Sequence, residues 1–154
     1  IQYLSDRYGL VGSAAMPLNS LRSWLGLDRA DDPEHAPLRD LLDALDRLEP
    51  GRARHLARFA YLLGRVAHAA RHVSAAETRA MEALVMKEGH LSLEQAMLVV
   101  GLAKTSNLLF GGTADYLVAQ EFAENATYGE KLGLVGCLFA ISANFFLRFS
   151  LYSA

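Results

Sequence analysis

Arg65-Val-Ala-His-Ala-Ala-Arg-His-Val-Ser-Ala-Ala-Glu77 decides how this chain folds. Upstream, Leu56, Phe59, Ala60, Leu63, Val66 and Ala67 recur at three and four residues, the spacing of one helix face, and predict a helix over 52–69. At the far end stands Ser74-x-x-Glu77, a capping box. Its hydroxyl can accept the backbone N–H three residues on, while the acid reaches back to the cap's own N–H, so donors orphaned at a helix start are satisfied. Helix, short loop, helix is the local plan.

The same plan repeats downstream. Ser92-x-x-Gln95 and Thr127-x-x-Glu130 are two further boxes, followed by Ala96, Met97, Val100, Leu102 and by Leu132, Leu134, Val135, Leu138. Gly89 is read as the stop of the helix opened at Ser74, and Gly111-Gly112 as the break before a helix that starts near Asp115 and carries Tyr116, Leu117 and Phe122. Upstream, Leu38, Leu41, Leu42, Leu45 and Leu48 form an amphipathic stripe with Asp40, Asp43, Asp46 and Arg47 opposite, and Leu18, Leu21, Trp24, Leu25 and Leu27 predict a shorter helix. All four prolines precede residue 51, so nothing after it interrupts a helix. No run alternates with the two-residue period of a half-buried strand. The expected fold is all-α: a compact bundle of five to eight short helices. Residues 1–31 form an N-terminal segment, 32–143 the helical domain, and 144–154 an apolar tail.

Composition narrows the function classes. A chain of 154 residues can bury one core, and a net charge of -2 argues against a dedicated nucleic-acid binder. The single Cys137 lies in an apolar run and is read as a packed thiol. The first residues lack the basic start and continuous apolar stretch of a secretory signal, which predicts a cytoplasmic location. Charge is uneven: residues 1–50 hold nine acids against five arginines, whereas 52–79 hold six arginines against Glu77 alone. Arg54, Arg58 and Arg65 fall near one helix face at spacings of four and seven, a candidate contact for an anionic protein partner or the inner face of a membrane.

Catalytic signatures are absent from the sequence: no Gly-x-Ser-x-Gly elbow, no phosphate-cradling loop before Lys-Ser or Lys-Thr, and no His-Glu-x-x-His. His68 and His72 have the i, i+4 spacing of helix-borne metal ligands, with Glu77 the nearest carboxylate, but they are read as capping a helix end. His35, His55 and His90 are isolated and receive no role. From Leu132 to Ala154 the chain is apolar for the length of a membrane span, yet Arg148 and Asn144 interrupt it, so a buried helix followed by a tail is preferred. Within the tail, Phe145, Phe146, Phe149 and Tyr152 are the predicted partner contacts.

Residues 38–143 resemble the tellurite-resistance protein B (TerB)-like family of small bacterial helical domains. The likeness rests on Leu56-Ala-Arg-Phe-Ala-Tyr-Leu-Leu-Gly-Arg-Val-Ala-His-Ala69, Val73-Ser-Ala-Ala-Glu-Thr-Arg-Ala-Met-Glu82 and Glu130-Lys-Leu-Gly-Leu-Val-Gly-Cys-Leu-Phe-Ala-Ile-Ser-Ala143. The resemblance implies two related helical halves about one core, a link to stress responses, and association with membrane-linked protein assemblies. It also implies metal binding through junction acids, of which only Glu77 carries over, because the family's Asp position is Ala70 and no acidic phrase follows Ala143. The expected function is a non-catalytic adaptor or accessory subunit that binds a protein partner, needs no cofactor and has no nucleic-acid role. A metal-binding stress protein is the alternative.

Overall fold

The computed structural model describes residues 36–67, 75–106 and 115–152, with backbone alone for 36–38, 105–106 and 144–152. Six helices account for nearly all of them, and no strand occurs among the described residues. They are α1 Ala36–Asp46, α2 Pro50–Ala67, α3 Ala75–Gly89, α4 Leu93–Ser106, α5 Asp115–Asn125 and α6 Tyr128–Tyr152. The predicted helix at 18–27 lies outside the described residues.

Local chemistry starts three of the helices. Glu49 caps α2: one carboxylate oxygen accepts the N–H of Gly51 at 2.9 Å and the other that of Arg52 at 3.0 Å, while Pro50, which has no N–H to lose, occupies the first turn. These two amides hold Glu49 below the usual carboxylate range. The Thr127 box closes in both directions, Thr127 N–H to Glu130 at 2.8 Å and Glu130 N–H to the Thr127 hydroxyl at 3.2 Å. At Ser92 the hydroxyl accepts the Gln95 N–H at 3.2 Å, but the Gln95 amide oxygen takes Arg52 Nη2 at 2.9 Å, so tertiary structure has recruited the second half of the box. Ser74 lies outside the described residues.

Two helices form the centre. On α2, Leu56, Phe59, Ala60 and Leu63 are buried as the periodicity predicts, and its small residues Ala53, Ala57 and Gly64 are buried too. It packs most extensively on α4, and also on α5, α6 and α1. In α4, Leu98, Val99, Val100, Leu102 and Ala103 are buried around much of the circumference, as expected of a helix enclosed by neighbours. The outer helices each add one face: Leu42 and Leu45 from α1, Met81 and Val85 from α3, Leu117, Val118 and Phe122 from α5, Leu134, Cys137 and Ile141 from α6.

Two sequence expectations change, and one, Gly89 as the stop of its helix, holds. Met97, Leu132 and Val135, assigned to apolar runs, are exposed, because the faces that turn inward are set by Leu98/Val99 in α4 and by Leu134/Cys137/Ile141 in α6. Gly89 is the last residue of α3, and it is His90 that takes the left-handed conformation, with φ 53°. Gly89 also serves close packing: a Cβ there would stand 3.2 Å from the Phe59 ring. Finally, α6 does not end near Ala143 but runs on to Tyr152.

Candidate functional site

Two surfaces stand out, a charged cleft at the start of α2 and an apolar face on α6. The cleft encloses about 490 Å³ and is lined by Glu49, Arg52, Arg54, His55, Arg58 and Glu130, with Phe122 and Ala126 in its apolar wall. Helical spacing carries Arg52, His55 and Arg58 onto it together, since residues three apart are neighbours on a helix surface. Glu130, in the first turn of α6, meets them from the opposite side.

His55 lies at the centre of the cluster. Its Nε2 is 3.2 Å from Glu130, and its ring stacks on Phe122 at a centroid distance of 5.4 Å and meets Phe59 edge-on at 6.1 Å. Burial pushes the imidazole below its ordinary value; the Glu130 charge opposes this, and Arg52 and Arg58 reinforce it. A neutral ring donating from Nε2 to an ionised Glu130 follows. Burial pushes Glu130 up, but the Thr127 N–H, His55, the Thr127 hydroxyl and Arg52 together hold it below the ordinary carboxylate value. Arg52 spans the cluster, one nitrogen on Gln95 at 2.9 Å and another 3.4 Å from Glu130. His55, given no role from sequence, is thus tied to Glu130, Phe122 and Phe59; only the packing of α5 and α6 onto α2 reveals this.

The arginine stripe is corrected in part. Arg58 is not a surface residue: its side chain is 8% exposed and its Nε lies 3.3 Å from Glu121 of α5. Arg65 is 3.1 Å from the carboxylate of Asp115, which also accepts the Tyr61 hydroxyl at 2.7 Å. Asp115 stands in the first turn of α5, where the sequence placed a helix start, and ties α5 to α2. Arg54 lines the cleft. The three residues separate because α5 covers the positions at 58 and 65, supplying one carboxylate to each.

The apolar face of α6 is formed by Tyr128, Leu132, Val135 and Phe139, which are 78, 55, 61 and 76% exposed and stand four, three and four residues apart. They form one continuous ladder along the helix, opposite Leu134, Cys137 and Ile141. Such a row is more apolar surface than scattered single exposures give. Phe145, Phe146, Phe149 and Tyr152 fall on the last turns of α6, where side chains lie outside the described residues.

Glu77 is in the first turn of α3, while Ala70, His68 and His72 lie outside the described residues. Among the described residues, no group of three His, Cys, Asp or Glu converges as a metal site, and no helix is long and apolar enough to cross a membrane. No family model matches the chain, and neither a curated protein nor a solved structure does.

Proposed function

We propose that this chain is a non-catalytic, TerB-like helical interaction module, an adaptor or accessory subunit that docks on a protein partner. The exposed ladder Tyr128, Leu132, Val135, Phe139 carries the reading. An apolar row on the outer face of a helix is the half of an interface that a grooved or helical partner completes through positions spaced three and four residues apart. The core beneath this face is already filled by Leu134, Cys137 and Ile141, so the ladder is surplus to the fold itself. The TerB-like phrases in α2, α3 and α6 support the same reading, and the resemblance extends it to two related halves and to assemblies involved in stress responses.

Of the partner contacts expected from the sequence, Arg54 remains a candidate, whereas Arg58 and Arg65 hold α5. The α6 ladder is a new candidate that the sequence did not single out. The test is co-purification with the full chain as bait, followed by native mass measurement, against a Leu132→Ser/Val135→Ser/Phe139→Ser variant. A defined protein partner retained by the wild type and lost by the variant is the expected result. A clean monomer that retains nothing, or a partner held equally by both chains, would overturn the reading. Because the three positions are exposed, the variant keeps the helical circular dichroism of the parent.

A further inference from the structure

The cleft at the start of α2 has an imbalance that the fold does not use. Each acid around it is engaged: Glu49 takes the amides of Gly51 and Arg52, Glu130 takes the Thr127 N–H with Arg52 and His55, and Glu121 takes Arg58 Nε. Arg58 is in the opposite condition. A guanidinium offers five N–H donors, yet this one makes a single hydrogen bond, at 3.3 Å, among the described residues. Its side chain is more than nine-tenths buried and it lines the cleft. Buried polar groups are ordinarily satisfied, and a buried cation with most donors unused calls for an acceptor.

We propose that the cleft binds a small organic carboxylate, anchored by the unused donors of Arg58. The planar guanidinium fork matches the two oxygens of a carboxylate, and such charge-assisted pairs are stronger than neutral hydrogen bonds. Arginines outnumber glutamates among the lining residues by three to two, so the site favours a single negative charge. A phosphate dianion would meet Glu49 and Glu130 on entry. At about 490 Å³ the space lies in the range of small-molecule sites and exceeds what a bare carboxylate fills. Phe122 and Ala126 supply an apolar wall for the remainder of the ligand. His55, stacked on Phe122 and bonded to Glu130, lies beside the bound anion.

Sodium benzoate is the probe. Titrated calorimetrically into the full chain at pH 7 and constant ionic strength, it is expected to bind saturably and to shift the His55 ring resonances in the NMR spectrum. Inorganic phosphate, titrated in parallel, is expected to bind more weakly. Arg58→Lys keeps the charge but loses the fork, and weakens benzoate by about tenfold. Glu121→Gln removes the competing negative charge and tightens it, and serves as the deciding variant should Arg58→Lys lose its helical signal. Absence of saturable binding, phosphate bound as tightly as benzoate, or benzoate affinity unchanged in the folded variants would each overturn the proposal.

Discussion

His90 illustrates what a single residue costs. With φ 53° it occupies the left-handed region, which a side chain enters only at an energetic cost and glycine enters freely. His90→Gly is therefore expected to stabilise the fold by about 0.5–1 kcal/mol, read as a higher urea midpoint with unchanged slope. A lower midpoint would show that the imidazole contributes more than the strain removes. Cys137 makes the opposite point, that burial silences chemistry. It is fully buried beneath α3, its thiol facing the Leu84 carbonyl at 3.9 Å, and burial first, then Glu88, push its pKa up to about 12. Native protein should leave a disulfide reagent such as DTNB unreacted at pH 8, with one equivalent consumed after denaturation. The sequence already suggested a packed thiol here, because Cys137 lies in an apolar run, and its complete burial agrees.

At the scale of elements, the crossing of α3 and α6 depends on the absence of side chains. A Cβ added to Gly133 would lie 2.7 Å from the Glu88 carbonyl oxygen and 3.2 Å from Gly89 Cα, both backbone atoms that cannot swing aside. Gly133→Ala is expected to destabilise by about 1–3 kcal/mol as the helices are forced apart. Gly129, in the first turn of the same helix, meets nothing nearer than the Thr127 hydroxyl at 4.0 Å, and Gly129→Ala should stabilise by up to about 1 kcal/mol through helix propensity alone. Thermal melts of the two variants should move in opposite directions; a shared direction would refute the close crossing. Neither glycine is distinguishable from the other in sequence. Helix starts, in contrast, were legible, since Thr127 and Glu130 need only each other, three residues apart.

For the whole molecule, the His55–Glu130 contact fastens α6 to α2, and its titration should govern acid stability. His55 has a folded value below its ordinary 6.5, so as pH falls through that point the unfolded chain takes up a proton that the folded chain refuses. Stability is thus lost below about pH 6.5. Glu130, also depressed in the folded state, adds a loss in the same direction only from its ordinary 4.5 downward. His55→Gln keeps a donor for Glu130 without the titration, and its melting temperature should fall less between pH 7 and pH 5 than that of the wild type. Parallel curves would remove His55 from the account.

The sequence by itself determined the all-helical class and the places where helices begin. Periodic apolar side chains, hydroxyl-and-acid caps and the lack of proline after residue 50 act within a few residues of one another, so no distant partner is needed to express them. Only the tertiary structure decided which faces turn inward, leaving Leu132, Val135 and Phe139 outside and taking Arg58 inside. It also brought Gln95 and Glu130, distant in sequence, to Arg52 and His55, and left Arg58 with a single hydrogen bond among the described residues. The reason is physical: an arginine on an amphipathic helix reads as solvated until a neighbouring helix brings a carboxylate over it, and the packing of that neighbour depends on the volume and shape of the whole core.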